Sequence, residues 1–66
     1  MTNNLRVQRA IKNITQGELA DAIGVSRQTI QSIEGVKYCP STILALKLSQ
    51  YFEVTVEQIF QLEKED

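Results

Sequence analysis

A chain of 66 residues with 42% hydrophobic and 23% charged side chains has the composition of a small folded protein. A chain that short buries only about 60% of its unfolded surface, so a partner subunit would help it. One cysteine and no histidine leave no internal disulfide and no ordinary zinc site; no apolar run nears the roughly 18 residues of a membrane span, and MTNNLR lacks the core of a secretion signal, so a cytoplasmic protein is expected.

Asn4 is placed to cap a first helix running to about Lys12, and Asn13 tolerates the left-handed conformation that would end it. Two registers are open. Leu5 can face inward together with Gln8, or Val7, Ala10, Ile11 and Ile14 can form the inner stripe. Thr15 and Glu18 then make a capping box, which starts a second helix whose Leu19, Ala20 and Ile23 share a face and which Gly24 stops. Ser26 caps a third helix to about Glu34. Its inward stripe is Ile30 and Ile33, which leaves Arg27, Gln28, Gln31 and Ser32 on other faces. After the loop GVKYCP, Ser41 caps a fourth helix with Leu44, Ala45, Leu48 and Phe52 inward, and a second capping box, Thr55 with Gln58, opens a short last helix bearing Val56, Ile59 and Phe60. Residues 61–66 form an acidic tail. The expected fold is an all-α, compact five-helix bundle, and a short terminal β-ribbon joining the two chain ends is compatible with it.

Residues 15–34 are the centre of this pattern. A capping box, small Ala20 at the crossing, Gly24 in the turn, a second cap at Ser26 and apolar residues at fixed offsets together specify a helix-turn-helix, whose second helix enters the major groove of DNA. The net charge of −1 argues against such a partner, since phosphate neutralisation dominates affinity. Its distribution argues for one: residues 1–47 hold six Lys or Arg against three acids, a net +3, whereas residues 48–66 hold one against five, a net −4. Gln16 opens the second helix, where its amide and the free N–H groups suit a phosphate oxygen, and the hydroxyls of Ser26 and Thr29 suit phosphate as well.

The chain resembles the Xre or Cro/CI-type regulators with the lambda-repressor-like fold, from about Asn4 to Phe60. Thr15-Gln16, Glu18-Leu19-Ala20, Gly24 to Ile30, Ile33-Glu34, Pro40-Ser41 and Ile59-Phe60 carry the resemblance. It implies that Arg27, Gln28 and Ser32 reach base edges, with Gln31 a further candidate, and that Lys37 and Tyr38 contact phosphates. Gln suits adenine N6/N7 and Arg suits guanine O6/N7. Taken singly, each of these side chains would be a solvated helix face; the scaffold makes them a set. Arg9 matches an arginine that pairs with the glutamate closing the recognition helix, here Glu34, and would tie the first helix to the third. Three positions depart from the pattern. Gln8 stands where an aliphatic residue is usual. Val36 stands where glycine is usual, so the left-handed turn is expected to move to Gly35 or the loop to differ. Glu53 replaces the Gly or Asn that often ends the fourth helix, which implies strain there.

So few basic groups would grip DNA weakly, which suggests a homodimer reading two half-sites of a palindromic operator about one helical turn apart. Its expected contact draws on Val54, Val56, Ile59, Phe60 and Leu62, some of which must fill the monomer core. Resemblance to compact members of the family implies regulation by occupying an operator, most often as a repressor. No cofactor, metal or small-molecule ligand is indicated. The lack of histidine, paired carboxylates or a Gly-rich phosphate loop argues against an enzyme. The rival reading is a protein-interaction or antitoxin-like module on the same fold; the acidic balance favours it, and the intact Gln16, Arg27, Gln28 and Lys37 set argues against it.

Overall fold

The computed structural model describes residues 1–66, whose elements run β1 (Thr2–Asn3), α1 (Leu5–Lys12), α2 (Gln16–Ile23), α3 (Arg27–Glu34), α4 (Thr42–Phe52), α5 (Val56–Ile59) and β2 (Phe60–Gln61). The strands pair antiparallel, Thr2 with Gln61 and Asn3 with Phe60, so the expected five helices are accompanied by the ribbon. No helix is long and apolar enough to cross a membrane.

Local chemistry sets the starts of the helices. Thr15 accepts from Glu18 N at 3.0 Å while the Glu18 carboxylate accepts from Thr15 N at 2.9 Å; Thr55 and Gln58 repeat the exchange on α5. Ser26 and Ser41 cap α3 and α4 through Thr29 N and Leu44 N. At α1 the expected cap bond is displaced by one residue. Asn4 stands at the cap position without a side-chain cap bond, and Asn3 Oδ1 accepts from Leu5 N at 3.1 Å; the Asn4 N–H itself donates to Ile59 O at 2.9 Å in the line of the ribbon.

The stops are alike and mostly not glycine. Asn13, Gly24, Val36 and Glu53 all have positive φ, of 57°, 85°, 60° and 57°. Val36 corrects the expectation from the loop: Gly35 has an ordinary φ of −80° and the β-branched residue takes the left-handed position. Register explains it. Buried Ile33 fixes the last turn, and the closing bonds Lys37 N to Ser32 O (2.9 Å) and Val36 N to Ile33 O (3.0 Å) require a left-handed residue at 36. The conformation costs a non-glycine residue about 1–2 kcal/mol. Gly35 has a different reason to lack a side chain, since a Cβ there would stand 3.3 Å from Gln31 O.

The core is one cluster. Leu19, Ala20 and Ile23 of α2 meet Ile30 and Ile33 of α3, and Leu44, Leu48 and Phe52 of α4 close it with Ile59, Phe60 and Leu5. Leu5 is the single buried residue of α1. Val7 and Ile11 are 55% and 73% exposed, which decides between the two registers for that helix. Ile59 and Phe60, at 0% and 7% exposed, are the members of the expected subunit contact that fill the protomer's own core.

Candidate nucleic-acid interface

The recognition helix α3 is held by its inner face and by its end. Ile30 and Ile33 are fully buried. Glu34, whose side chain is 2% exposed, takes a two-point contact from Arg9, with Nε at 2.5 Å from Oε2 and Nη2 at 3.0 Å from Oε1. Gln16 Nε2 adds 3.1 Å to Oε1, Arg9 Nη1 also reaches Ile14 O at 3.2 Å, and Arg6 stands 3.7 Å away. Burial alone pushes the Glu34 carboxyl upward. The hydrogen bonds from Arg9 and Gln16, with the charges of Arg9 and Arg6, more than reverse this and hold Glu34 below the usual glutamate range. A desolvated carboxylate with that much pairing is costly to strip of its partners. Asn3 Nδ2 donates to Ile33 O at 2.8 Å, which ties the N-terminal strand to the same end of α3.

Two grooves flank the N-terminal half of α3. One, of about 260 Å³, is lined by Ser26, Gln28, Thr29, Ser32 and Tyr38. The other, of about 520 Å³, is lined by Arg9, Ile14, Thr15, Gln16, Gly17 and Arg27, and opens at the N-terminus of α2. Free N–H groups and a positive dipole end meet the Arg27 guanidinium there, beside the Arg9 guanidinium that Glu34 already neutralises, the chemistry of an anion site.

The structure thus brings most of the expected contact residues together. Arg27, Gln28 and Gln31 are exposed, and Ser32 and Thr29 are half-buried along one groove wall. Ser26 Oγ and Thr29 Oγ1 share a hydrogen bond of 2.9 Å, so one of the two hydroxyls has spent its proton and the other keeps its O–H for an outside acceptor. Gln16 is a bridge and not a free amide: one Nε2 proton serves Glu34, leaving the second for a phosphate. Tyr38, 46% exposed, reaches the recognition groove across the loop, while Lys37 is exposed and lines neither groove. The Asn3 tie escaped sequence reasoning, because an asparagine near a chain start carries no signal of a partner thirty positions away.

The helix-turn-helix family model matches residues 5–59, spanning all five helices. The chain belongs to the Xre or Cro/CI-type helix-turn-helix family. Its relatives in this family are matched over nearly their whole length. An uncharacterized HTH-type transcriptional regulator of Methanocaldococcus jannaschii is 48% identical over the whole of both chains, and YgzD of Bacillus subtilis, described in the same words, is 39% identical over the whole of both. A third, from Archaeoglobus fulgidus, is 41% identical over all of this chain and 93% of its own. Membership makes this helix-turn-helix chain a DNA-binding transcriptional regulator in class, and the five-helix arrangement is the lambda-repressor-like one.

Proposed function

We infer that the protein is a homodimeric, sequence-specific binder of double-stranded DNA that represses by occupying a palindromic operator. The observation that carries this reading is the pairing of the two grooves about one short helix. Gln28 with Ser32 lines one and Arg27 lines the other, on a helix whose opposite side is buried and whose end is locked through Glu34. Arg27, Gln28, Gln31 and Ser32 read base edges, whereas Gln16, Ser26, Thr29, Lys37 and Tyr38 hold phosphates.

A second copy supports the grip that one weakly charged protomer lacks. Each protomer measures 32 × 22 × 20 Å, close to the roughly 34 Å spacing of half-sites, so two can sit side by side on successive turns. With Ile59 and Phe60 withdrawn into the core, the contact rests on Val56 and Leu62, with half-buried Val54 at its edge. Ile43 and Leu46 on the outer side of α4, 69% and 51% exposed, extend it. A groove of about 230 Å³ lined by Met1, Pro40, Ala45, Leu46, Val56 and Phe60 among others receives the partner's side chains.

Sedimentation of the purified protein, followed by selection of bound sequences from a random duplex library, tests the reading. A dimer that selects an inverted repeat, and whose affinity falls steeply with salt, is the expected result. A monomer indifferent to duplex at low ionic strength overturns it.

A further inference from the structure

Lys37 and Tyr38 are neighbours in the chain and are parted by the turn that ends α3. Left-handed Val36 sends the chain back along the helix, and Lys37 N donates to Ser32 O at 2.9 Å, so the next residue starts beside the last turn of α3. Lys37 then lines neither groove, whereas Tyr38 forms a wall of the one that holds Gln28 and Ser32. It also borders a smaller groove of about 160 Å³ with Asn3, Val36, Pro40 and Phe60. At 46% exposed, the tyrosine is thus seated on the loop and the terminal ribbon and presents its other side to the recognition groove. A side chain already seated loses little freedom on meeting a ligand.

The two grooves beside α3 differ in charge. Arg9 and Arg27 line the larger, while the groove with Tyr38 is lined otherwise by Ser26, Gln28, Thr29 and Ser32 and has no Lys or Arg in its walls. A phosphate is therefore a poor sole occupant of it. Hydroxyls and an amide fit the donors and acceptors of a base edge, and the one ring fits the one apolar group that a base edge offers, the C5-methyl of thymine. We propose that Tyr38 reads a thymine, with its ring against that methyl and its hydroxyl on the phosphate already assigned to it. The methyl projects toward the backbone of its own strand, so one side chain reaches both. Because Tyr38 and Gln28 share a groove of about 260 Å³, the thymine belongs to the base pair that Gln28 reads or to one beside it. The inference rests on the DNA reading of α3, and adds to it a specificity residue outside the recognition helix.

The test uses the full chain and the duplex that it selects from a random library, with each thymine replaced in turn by deoxyuridine, which loses the methyl and keeps O4 and the pairing. At one thymine of each half-site, in or beside the base pair where Gln28→Ala relaxes preference, deoxyuridine weakens the wild-type protein about fourfold, the effect of taking one methyl group out of water. Tyr38→Phe retains that sensitivity, and Tyr38→Ala binds the thymine and deoxyuridine duplexes alike. Wild-type protein gives a further readout that needs no variant: 5-iododeoxyuridine at the same position, with iodine in place of the methyl, cross-links to Tyr38 under ultraviolet light. An operator indifferent to deoxyuridine, a sensitivity that persists in folded Tyr38→Ala, its loss in Tyr38→Phe, or a cross-link to another residue overturns the inference and leaves the DNA reading intact. A library from which nothing is selected overturns the DNA reading itself, and the inference falls with it.

Discussion

Helices α1 and α3 are both eight residues long and are turned by different forces. In α3 the isoleucines at 30 and 33 go inward and the polar row goes out, as hydrophobic periodicity dictates. In α1 the periodicity points one way and the helix faces another: three of its apolar residues are exposed while Arg9 turns inward. The two-point contact with Glu34, together with Leu5, sets that orientation. Apolar spacing gives the facing of a helix only where apolar burial is the largest contribution to its docking.

Removing the ion pair should break this comparison most completely. Arg9→Ala leaves a buried carboxylate without its partner and should cost about 3–5 kcal/mol, enough to unfold most of so small a domain in a denaturant or thermal titration. The sign of its pH dependence follows from Glu34, whose folded value is lowered. Its contribution is fully present above the unfolded glutamate value, and is lost as pH falls through the folded one. Glu34→Gln should therefore flatten the acid limb of stability against pH, and an unchanged limb would remove the pair from the account.

Two isoleucines give the next test. Ile30→Ala should cost roughly 2–4 kcal/mol as a buried deletion, whereas Ile11→Ala should stay within about 0.5 kcal/mol; equal losses would mean that α1 packs with the opposite face. On DNA, Gln28→Ala should remove about 1–3 kcal/mol of discrimination at one base pair, while Lys37→Ala should weaken all sequences alike and reduce the salt slope by about one. Binding to a set of operator variants at several salt concentrations separates the two. The smallest effect is expected at the stop of α3. Val36→Gly relieves a left-handed β-branched residue but adds freedom to the unfolded chain, for a net gain of about 0.5–1 kcal/mol.

The parts of the fold that were legible beforehand are those written within three or four residues. The Thr15 and Glu18 exchange, Gly24, and the caps at Ser26 and Ser41 each act on the nearest turn, so α2, α3 and α4 could be delimited from spacing alone. What stayed hidden depends on distant partners: the bond of Asn4 N to Ile59 O, the tie of Asn3 to Ile33 O, and the left-handed Val36, decided by the depth of Ile33. The contact residues were legible as positions on a helix. That Tyr38 joins the same groove as Gln28, and Arg27 the same one as Gln16, needed the tertiary packing.

The anchoring of α3 is lopsided. Arg9 and Gln16 meet at Glu34 and Asn3 holds Ile33 O, so three other segments fasten its C-terminal root. Its N-terminal tip has no long-range side-chain hydrogen bond of that kind and is held by the Ser26 cap and by Val25 and Ile30 packed on the core. The helix is mounted like a cantilever, its root fastened by ties from three segments and its tip, which carries Arg27 and Gln28, set on apolar packing that fixes depth more than direction.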